Sequence, residues 1–590
     1  MTQTDPHSVA DLTQGRVTHI HLVWKVDFDA RALVGAATLH LDQPAAGLLS
    51  LDTRELTVAQ VLDQDGQALP WTLHPPEGFM GARLDVVRRP DTSAVEVRYR
   101  TAPTASALQW LAPANTAGKA HPFLFSQCQP IHARSMMPCQ DTARARFTYS
   151  AEVTVPEGLV PVMSAAPGEP GTPVDGWVTT AFSMPQAIPS YLLALGVGHL
   201  VSADLGPRSR VYAEPESLQA AAWEFADADV MLRAAEGLFG PYPWERFDFL
   251  MMPPAFPYGG MENPRLTFLT PTLIAGDRSL VTVLAHELAH SWTGNLVTNA
   301  TMNDFWLNEG FTVWAERRIL EVLEGPEAVG VAANIGRHDL EEELARFADQ
   351  PAYTHLETDL SGVDPDEVYS SVPYEKGFLF VQLLEETVGR TRWDAFIKAY
   401  MGRFGFTSIT TAEFEAFLEE QLPGVRDAIG ADAWIHGPGL PENAPRFGAR
   451  RLEAVLSALA AWERGELDTE AMGRWTTRQR IVFLQKLPRP LTHEQCARLD
   501  QAFSLTASAN AEILSQWLLV GLASGYAPAL ERTSTFLGEV GRMKFLKPLY
   551  AALMARVETQ PAAASLLADY RELYHPIALA GLESMVEGRA

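Results

Sequence analysis

The period of the hydrophobic residues changes once along this chain, and that change limits the folds open to it. In residues 20–28, Ile20, Leu22, Trp24, Val26 and Phe28 alternate with His21, Val23, Lys25 and Asp27. A repeat of two sets one face of a half-buried strand. Shorter runs at 37–41, 94–99 and 147–155 follow, separated by Gly, Pro and Asp. After Gly206-Pro207 the pattern turns helical, with Leu218, Ala222, Phe225, Val230, Leu232 and Leu238 among polar residues in 216–240. A second break, HGPGLPENAPRFG at 436–448, carries three prolines and three glycines, which forbid helix continuation. Leu452, Val455, Leu456, Leu459 and Trp462 then recur at amphipathic-helix spacing. The expectation is a multidomain α+β protein. The expected parts are an antiparallel β-domain at 1–200, a mainly helical domain at 201–436, a Pro/Gly-rich linker at 437–450 and an all-α domain at 451–590. No clean fixed-period repeat marks that last part.

Composition excludes other classes. The 590 residues are 47% hydrophobic, too apolar for a disordered chain and too long for one core. The net charge of −26 argues against nucleic acid, which needs clustered Lys and Arg, and suits cationic ligands. Three cysteines, Cys128, Cys139 and Cys496, cannot build a disulfide framework. The first residues lack a signal-peptide pattern, and no apolar run reaches the roughly 18–20 residues of a membrane span. A cytoplasmic protein without a membrane partner is expected.

The most informative segment is HELAH at 286–290. Positions i and i+4 share one helix face, so His286 and His290 can meet one Zn²⁺, with Glu287 close enough to act on a water. Catalytic zinc takes three protein ligands and keeps one open position. With eighteen residues between it and His290, Glu309 in WLNEG can complete a His₂Glu set from a neighbouring helix. Glu316, two turns further, faces the same side and suits hydrogen bonding to a ligand imidazole.

HELAH, eighteen residues and then the Glu309 of NEG resembles the M1 family of zinc aminopeptidases. So does Gly259-Gly260-Met261-Glu262-Asn263, the family's exopeptidase motif. Four further stretches resemble the leukotriene A(4) hydrolase and aminopeptidase B branch: QCQPIH at 127–132, DPD at 364–366, YSSVPYEKG at 369–377 and GRMKF at 541–545. They fall in all three expected domains. The resemblance implies a saddle-like β-domain, a thermolysin-like catalytic domain and an armadillo/HEAT-like helical domain. It also implies one Zn²⁺ per chain and hydrolysis of the N-terminal residue from short peptides by a monomer.

The same resemblance distributes the roles. Glu287 would be the general base, and Tyr374 would help the metal stabilise the oxyanion. Glu262, aided by Gln129, would pair with the substrate ammonium, in a loop whose glycines admit an extended peptide. Arg542 and Lys544 would hold the substrate carboxylate. Asp366 would favour an N-terminal Arg or Lys. Read without the resemblance, GGMENP is an ordinary turn, Tyr374 a core tyrosine, and Arg542 with Lys544 a solvated basic patch.

The branch also includes hydrolysis of a lipid epoxide. Residues matching that activity are Glu262, Asp366, Tyr369 and Arg542, with Gln127, Tyr258 and Phe305 along the pocket and Gly259, Gly260 and Met261 in its wall. Met302 departs from the pattern, which has tryptophan there. A bifunctional enzyme is thus the alternative, and an inactive binding scaffold the remote one. The scaffold would lack a ligand or the base, yet His286, His290, Glu309, Glu287, Glu262 and Tyr374 are all present.

Overall fold

Strand Val17–Asp27 lies near the middle of a seven-stranded sheet. Its alternation holds: Ile20, Leu22, Trp24 and Val26 are buried, while Val23 and Lys25 face out. It pairs antiparallel with Ala32–Leu41 and parallel with Arg146–Pro156. The β-domain is therefore not purely antiparallel as expected. A period of two reports which face is buried, not the direction of a partner more than a hundred residues away. That long connection is what a parallel pair requires. The structure, a computed structural model, describes residues 5–587.

A four-stranded sheet runs in the order Val160–Met163, Leu195–Gly198, Phe123–Ser126, Leu108–Leu111. Strand Phe123–Ser126 is buried throughout and stops directly before Gln127, so the core of this sheet sets where the QCQPIH segment emerges.

The 216–240 pattern resolves into two helices, Pro215–Glu224 and Ala228–Phe239. Leu232 is buried, but Val230 points to solvent. A mixed five-stranded sheet follows in the order Val201–Asp204, Arg210–Ala213, Phe249–Met251, Thr267–Leu269, Gly260–Met261. The last of these is an edge strand. The helices Thr282–Ala289, Trp306–Glu324, Pro326–Arg346 and Gly377–Val388 surround the site.

One hydrophobic core runs from Val17 to Ala444 through the strands and the central helices. A second spans Ala449 to Leu582 and takes in Val331. Residues 436–449 contain neither helix nor strand, and helices from Arg450–Glu463 to Pro576–Glu587 follow. In the first of them Leu452, Val455 and Trp462 are buried, while Leu456 is exposed. Tyr258 packs against both cores. At that seam the Met543 N–H donates to the Pro257 carbonyl at 2.8 Å. A Cβ on Gly541 would lie 2.6 Å from the Ala255 carbonyl oxygen, so only glycine permits this contact. All three cysteines are buried and free. No helix among the described residues is long and apolar enough to cross a membrane.

Candidate metal and peptide site

Helix Thr282–Ala289 buries Leu284, Ala285, Glu287, Leu288 and Ala289, while His286 stays partly open. His290 sits just past its end but keeps helical backbone angles, so the i, i+4 relation survives. The two Nε2 atoms are 3.2 Å apart. Glu309, in the first turn of helix Trp306–Glu324, brings Oε2 to 3.4 Å from His286 Nε2 and 3.6 Å from His290 Nε2. Glu316, two turns on, places Oε2 3.1 Å from His286 Nδ1.

The outer nitrogens decide what the inner ones can do. His290 Nδ1 lies 3.1 Å from the Thr293 carbonyl, which can only accept, so this nitrogen carries the hydrogen. An ionised Glu316 imposes the same tautomer on His286. Two Nε2 lone pairs and a carboxylate oxygen then converge on one point. Glu309 Oε2 is buried and has no hydrogen-bond partner among the described residues. Lone pairs packed in this way repel unless a cation lies between them, and an N, N, O donor set with an open side fits a catalytic divalent metal. Electrostatics agree. Burial disfavours charge on His286, but the adjacent carboxylates of Glu309 and Glu316 outweigh it and hold its pKa well above the ordinary range. Burial takes His290 down to about 4. The cluster draws one positive charge and resists a second.

Glu262, Glu287 and His290 form an overlapping group, with one ligand atom of each within 4.8 Å of the others. Burial pushes Glu287 up to about 8. Burial, with Glu309 and Glu287 beside it, raises Glu262 well above the usual carboxylate range. Among the described residues none of Glu262, Glu287 and Glu309 is paired with a Lys or Arg. Such a site favours cations from two sources, a metal and a ligand.

The GGMEN segment builds the adjoining wall. Gly260 and Met261 pair antiparallel with Leu269 and Phe268, and among the described residues their other edge carries no strand. A Cβ on Gly260 would meet Glu287 Oε1 at 2.3 Å, and one on Gly259 would meet Arg542 Nη2 at 2.7 Å. Gln129 Nε2 donates to Glu262 Oε1 at 3.4 Å, and Gln127 Nε2 to Met261 Sδ at 3.2 Å. The QCQ segment thus reaches the same wall from the β-domain.

Opposite, Tyr374 lies in a one-turn π-helix, Val372–Lys376. Its ring stacks beside His286 with centroids 6.2 Å apart, and its hydroxyl is 3.2 Å from that of Tyr369. Burial, then Glu309, raises the Tyr374 phenol well above its usual range and keeps it a donor. Phe305 packs edge-on to Tyr374, and Tyr258 edge-on to Tyr369. A cavity opens behind them, lined by Gln129, Tyr258, Phe305, Asp366 and Tyr369, with Met302 on its wall.

Arg542 is less free than a solvated residue would be. Its side chain is 9% exposed, with Nη1 3.0 Å from Glu512. Lys544 Nζ is 2.9 Å from the same carboxylate but is half exposed. Several partners escaped the sequence reading. Glu512 gave no signal because its clamp partners are thirty residues away. Thr312, whose Oγ1 lies 3.2 Å from His290 Nδ1, is three residues after Glu309 on the same helix, and helical spacing could have found it.

Fold and site together define a metal-dependent peptide hydrolase. Residues 17–192 match the peptidase M1 N-terminal domain, 223–432 the peptidase family M1 domain and 475–586 the leukotriene A4 hydrolase C-terminal domain. A leukotriene A-4 hydrolase from Xenopus laevis is 38% identical, over 97% of each chain. A leucine aminopeptidase 2 from Aspergillus terreus is 37% identical, over 99% of this chain and 98% of its own. The structure of yeast LTA4 hydrolase with bestatin superposes with a TM-score of 0.93 at 32% identity, covering 99% of this chain and 98% of that one. This chain belongs to peptidase family M1, in its leukotriene A4 hydrolase-like branch, and is a metallo-aminopeptidase.

Proposed function

We propose that the chain removes the N-terminal residue from short peptides with one zinc ion, held by His286, His290 and Glu309. The observation that carries this reading is the overlap of the two clusters. Glu262 shares a 4.8 Å neighbourhood with Glu287 and His290, so an ammonium bound by Glu262 sits one residue from the metal position. A zinc ion there would polarise the scissile carbonyl and acidify the attacking water.

The protein's own groups do the rest. Glu262 and Gln129 hold the substrate ammonium, and the open edge of Gly260–Met261 receives the peptide backbone as an added strand. Glu287 takes the proton of the attacking water as its oxygen bonds to the carbonyl carbon. It then passes that proton to the amine nitrogen as the C–N bond breaks. The Tyr374 hydroxyl donates to the oxyanion. Arg542 and Lys544 anchor a free carboxylate, which suits peptides of about three residues. Asp366, on the cavity wall, favours Arg or Lys at the first position. The protein is proposed to act as a monomer in the cytoplasm, with β, catalytic, linker and helical segments at 1–200, 201–436, 437–450 and 451–590.

The test is turnover of an Arg-headed tripeptide beside its N-acetylated form, with zinc measured in the same sample. Cleavage of the free peptide alone, at one zinc per chain, is expected. Cleavage of both would remove Glu262 from its role. A second reading, hydrolysis of a lipid epoxide, draws on the cavity behind Phe305 and on the name of the Xenopus relative. A lipid-epoxide assay with the zinc enzyme tests it.

A further inference from the structure

The QCQPIH segment ends on a histidine that the hydrolytic scheme leaves unused. His132 is 4% exposed. Its Nε2 lies 2.8 Å from Asp366 Oδ2, and its Nδ1 2.8 Å from Ser106 Oγ. Asp366 remains partly open to the cavity, with 20% of its side chain exposed. The pocket acid therefore has a histidine behind it and the cavity in front.

The two hydrogen bonds differ in what they permit. Asp366, when ionised, only accepts, so Nε2 carries a hydrogen. Ser106 is a hydroxyl, which can donate to a bare Nδ1 or accept from Nδ1–H by rotating. The ring can therefore gain or lose a proton without breaking either contact and without moving a heavy atom. What changes is the charge of the pair, from −1 with neutral imidazole to zero with imidazolium.

We infer that His132 is a specificity-determining residue: by taking up a proton it cancels the Asp366 charge and switches the first pocket from basic to apolar side chains. This rests on the reading of Asp366 as the acceptor of an N-terminal Arg or Lys. The other ionisable groups facing the pair are Asp364, His575, Tyr258 and Lys547. Burial and the neighbouring His132 take His575 down to about 3, so it stays neutral near neutral pH. Burial, then Asp366, raises Tyr258 well above its usual range, so it also stays neutral. Burial, then Asp366, raises Asp364 from its ordinary value, which Arg54 opposes. Burial, then Arg346, lowers Lys547, which Asp366 and Glu343 oppose. Among them only His132 hydrogen-bonds the Asp366 carboxylate, while Asp364 accepts from the Asp366 backbone N–H at 3.1 Å.

The experiment is the ratio of kcat/KM for Arg-amide over Leu-amide, measured from about pH 8 to about pH 5.5, where histidines change charge. Taking the ratio cancels groups that both substrates share, namely their α-amine, Glu262, Glu287 and the metal site. In the zinc-loaded wild type the ratio should fall about tenfold toward low pH, the worth of one charge-assisted hydrogen bond. His132→Gln, whose amide still donates to Asp366 but cannot gain a proton, should give a flat profile. Ser106→Ala, which removes the acceptor of the second proton, should move the transition to lower pH, and it serves if His132→Gln does not fold. A preference for Arg that stays constant with pH, or a slope unchanged in His132→Gln, overturns the switch alone. No preference for Arg at about pH 8, unchanged in Asp366→Asn, overturns the Asp366 reading and the switch with it.

Discussion

The backbone of Gly260 and the carboxylate of Glu287 are in direct contact: a Cβ on Gly260 would lie 2.3 Å from Oε1 and 2.7 Å from Cγ. The proposed base thus rests on the strand proposed to receive the peptide, and each fixes the other. Gly260→Ala should push Glu287 aside by a fraction of an ångström or more. Misplacement by about 1 Å costs roughly a hundredfold in rate. The expected outcome is a kcat about a hundredfold lower with zinc content unchanged, read by steady-state kinetics beside metal analysis. Wild-type turnover in this variant would show that the contact does not position Glu287.

Glu287→Gln removes the proton acceptor while keeping size and burial. Its carboxylate is not part of the His286, His290 and Glu309 triangle, so the metal should remain. General-base catalysis contributes about 10²–10⁴-fold, and kcat should fall within that range. Loss of zinc together with activity would instead make Glu287 a structural support of the metal site.

The HELAH helix and its i, i+4 histidines were legible because periodicity alone places both rings on one face. Glu309 and Glu316 were legible because seven residues are two helical turns. What the sequence could not convey was the direction of pairing and the identity of distant partners. The parallel match of strand Val17–Asp27 with Arg146–Pro156 leaves no local signature. Glu512 against Arg542 and His132 against Asp366 join residues from different elements, and only tertiary packing brings them together. Tyr374, Asp366 and Arg542 were singled out through family resemblance, because spacing could not distinguish them from core or surface residues of the same type.

Arg542 shares one guanidinium nitrogen with Glu512, while its Nε is buried and lacks a hydrogen-bond partner among the described residues. A substrate carboxylate can use that remaining donor capacity. Arg542→Gln should raise KM for a free tripeptide about tenfold or more, the loss of a charge-assisted hydrogen bond, and change the C-terminal amide little. Equal effects on both substrates would place Arg542 outside carboxylate recognition.

His575 joins the helical domain to the β-domain. Its Nδ1 accepts from the Ile577 N–H at 3.2 Å, at the start of helix Pro576–Glu587, and its ring stacks on Phe125 with centroids 5.6 Å apart. Burial, helped by His132, takes its pKa from 6.5 down to about 3. The folded value is below the unfolded one, so between these values the unfolded chain binds more protons. Its contribution to stability is therefore complete above about pH 6.5 and is lost as pH falls toward about 3, at up to about 1.4 kcal/mol per unit. His575→Gln removes this titration. The wild type should lose more stability than the variant between about pH 7 and about pH 5, by roughly 2 kcal/mol, read from urea midpoints of each protein at both values. Equal losses in the two proteins would assign the acid sensitivity to other groups.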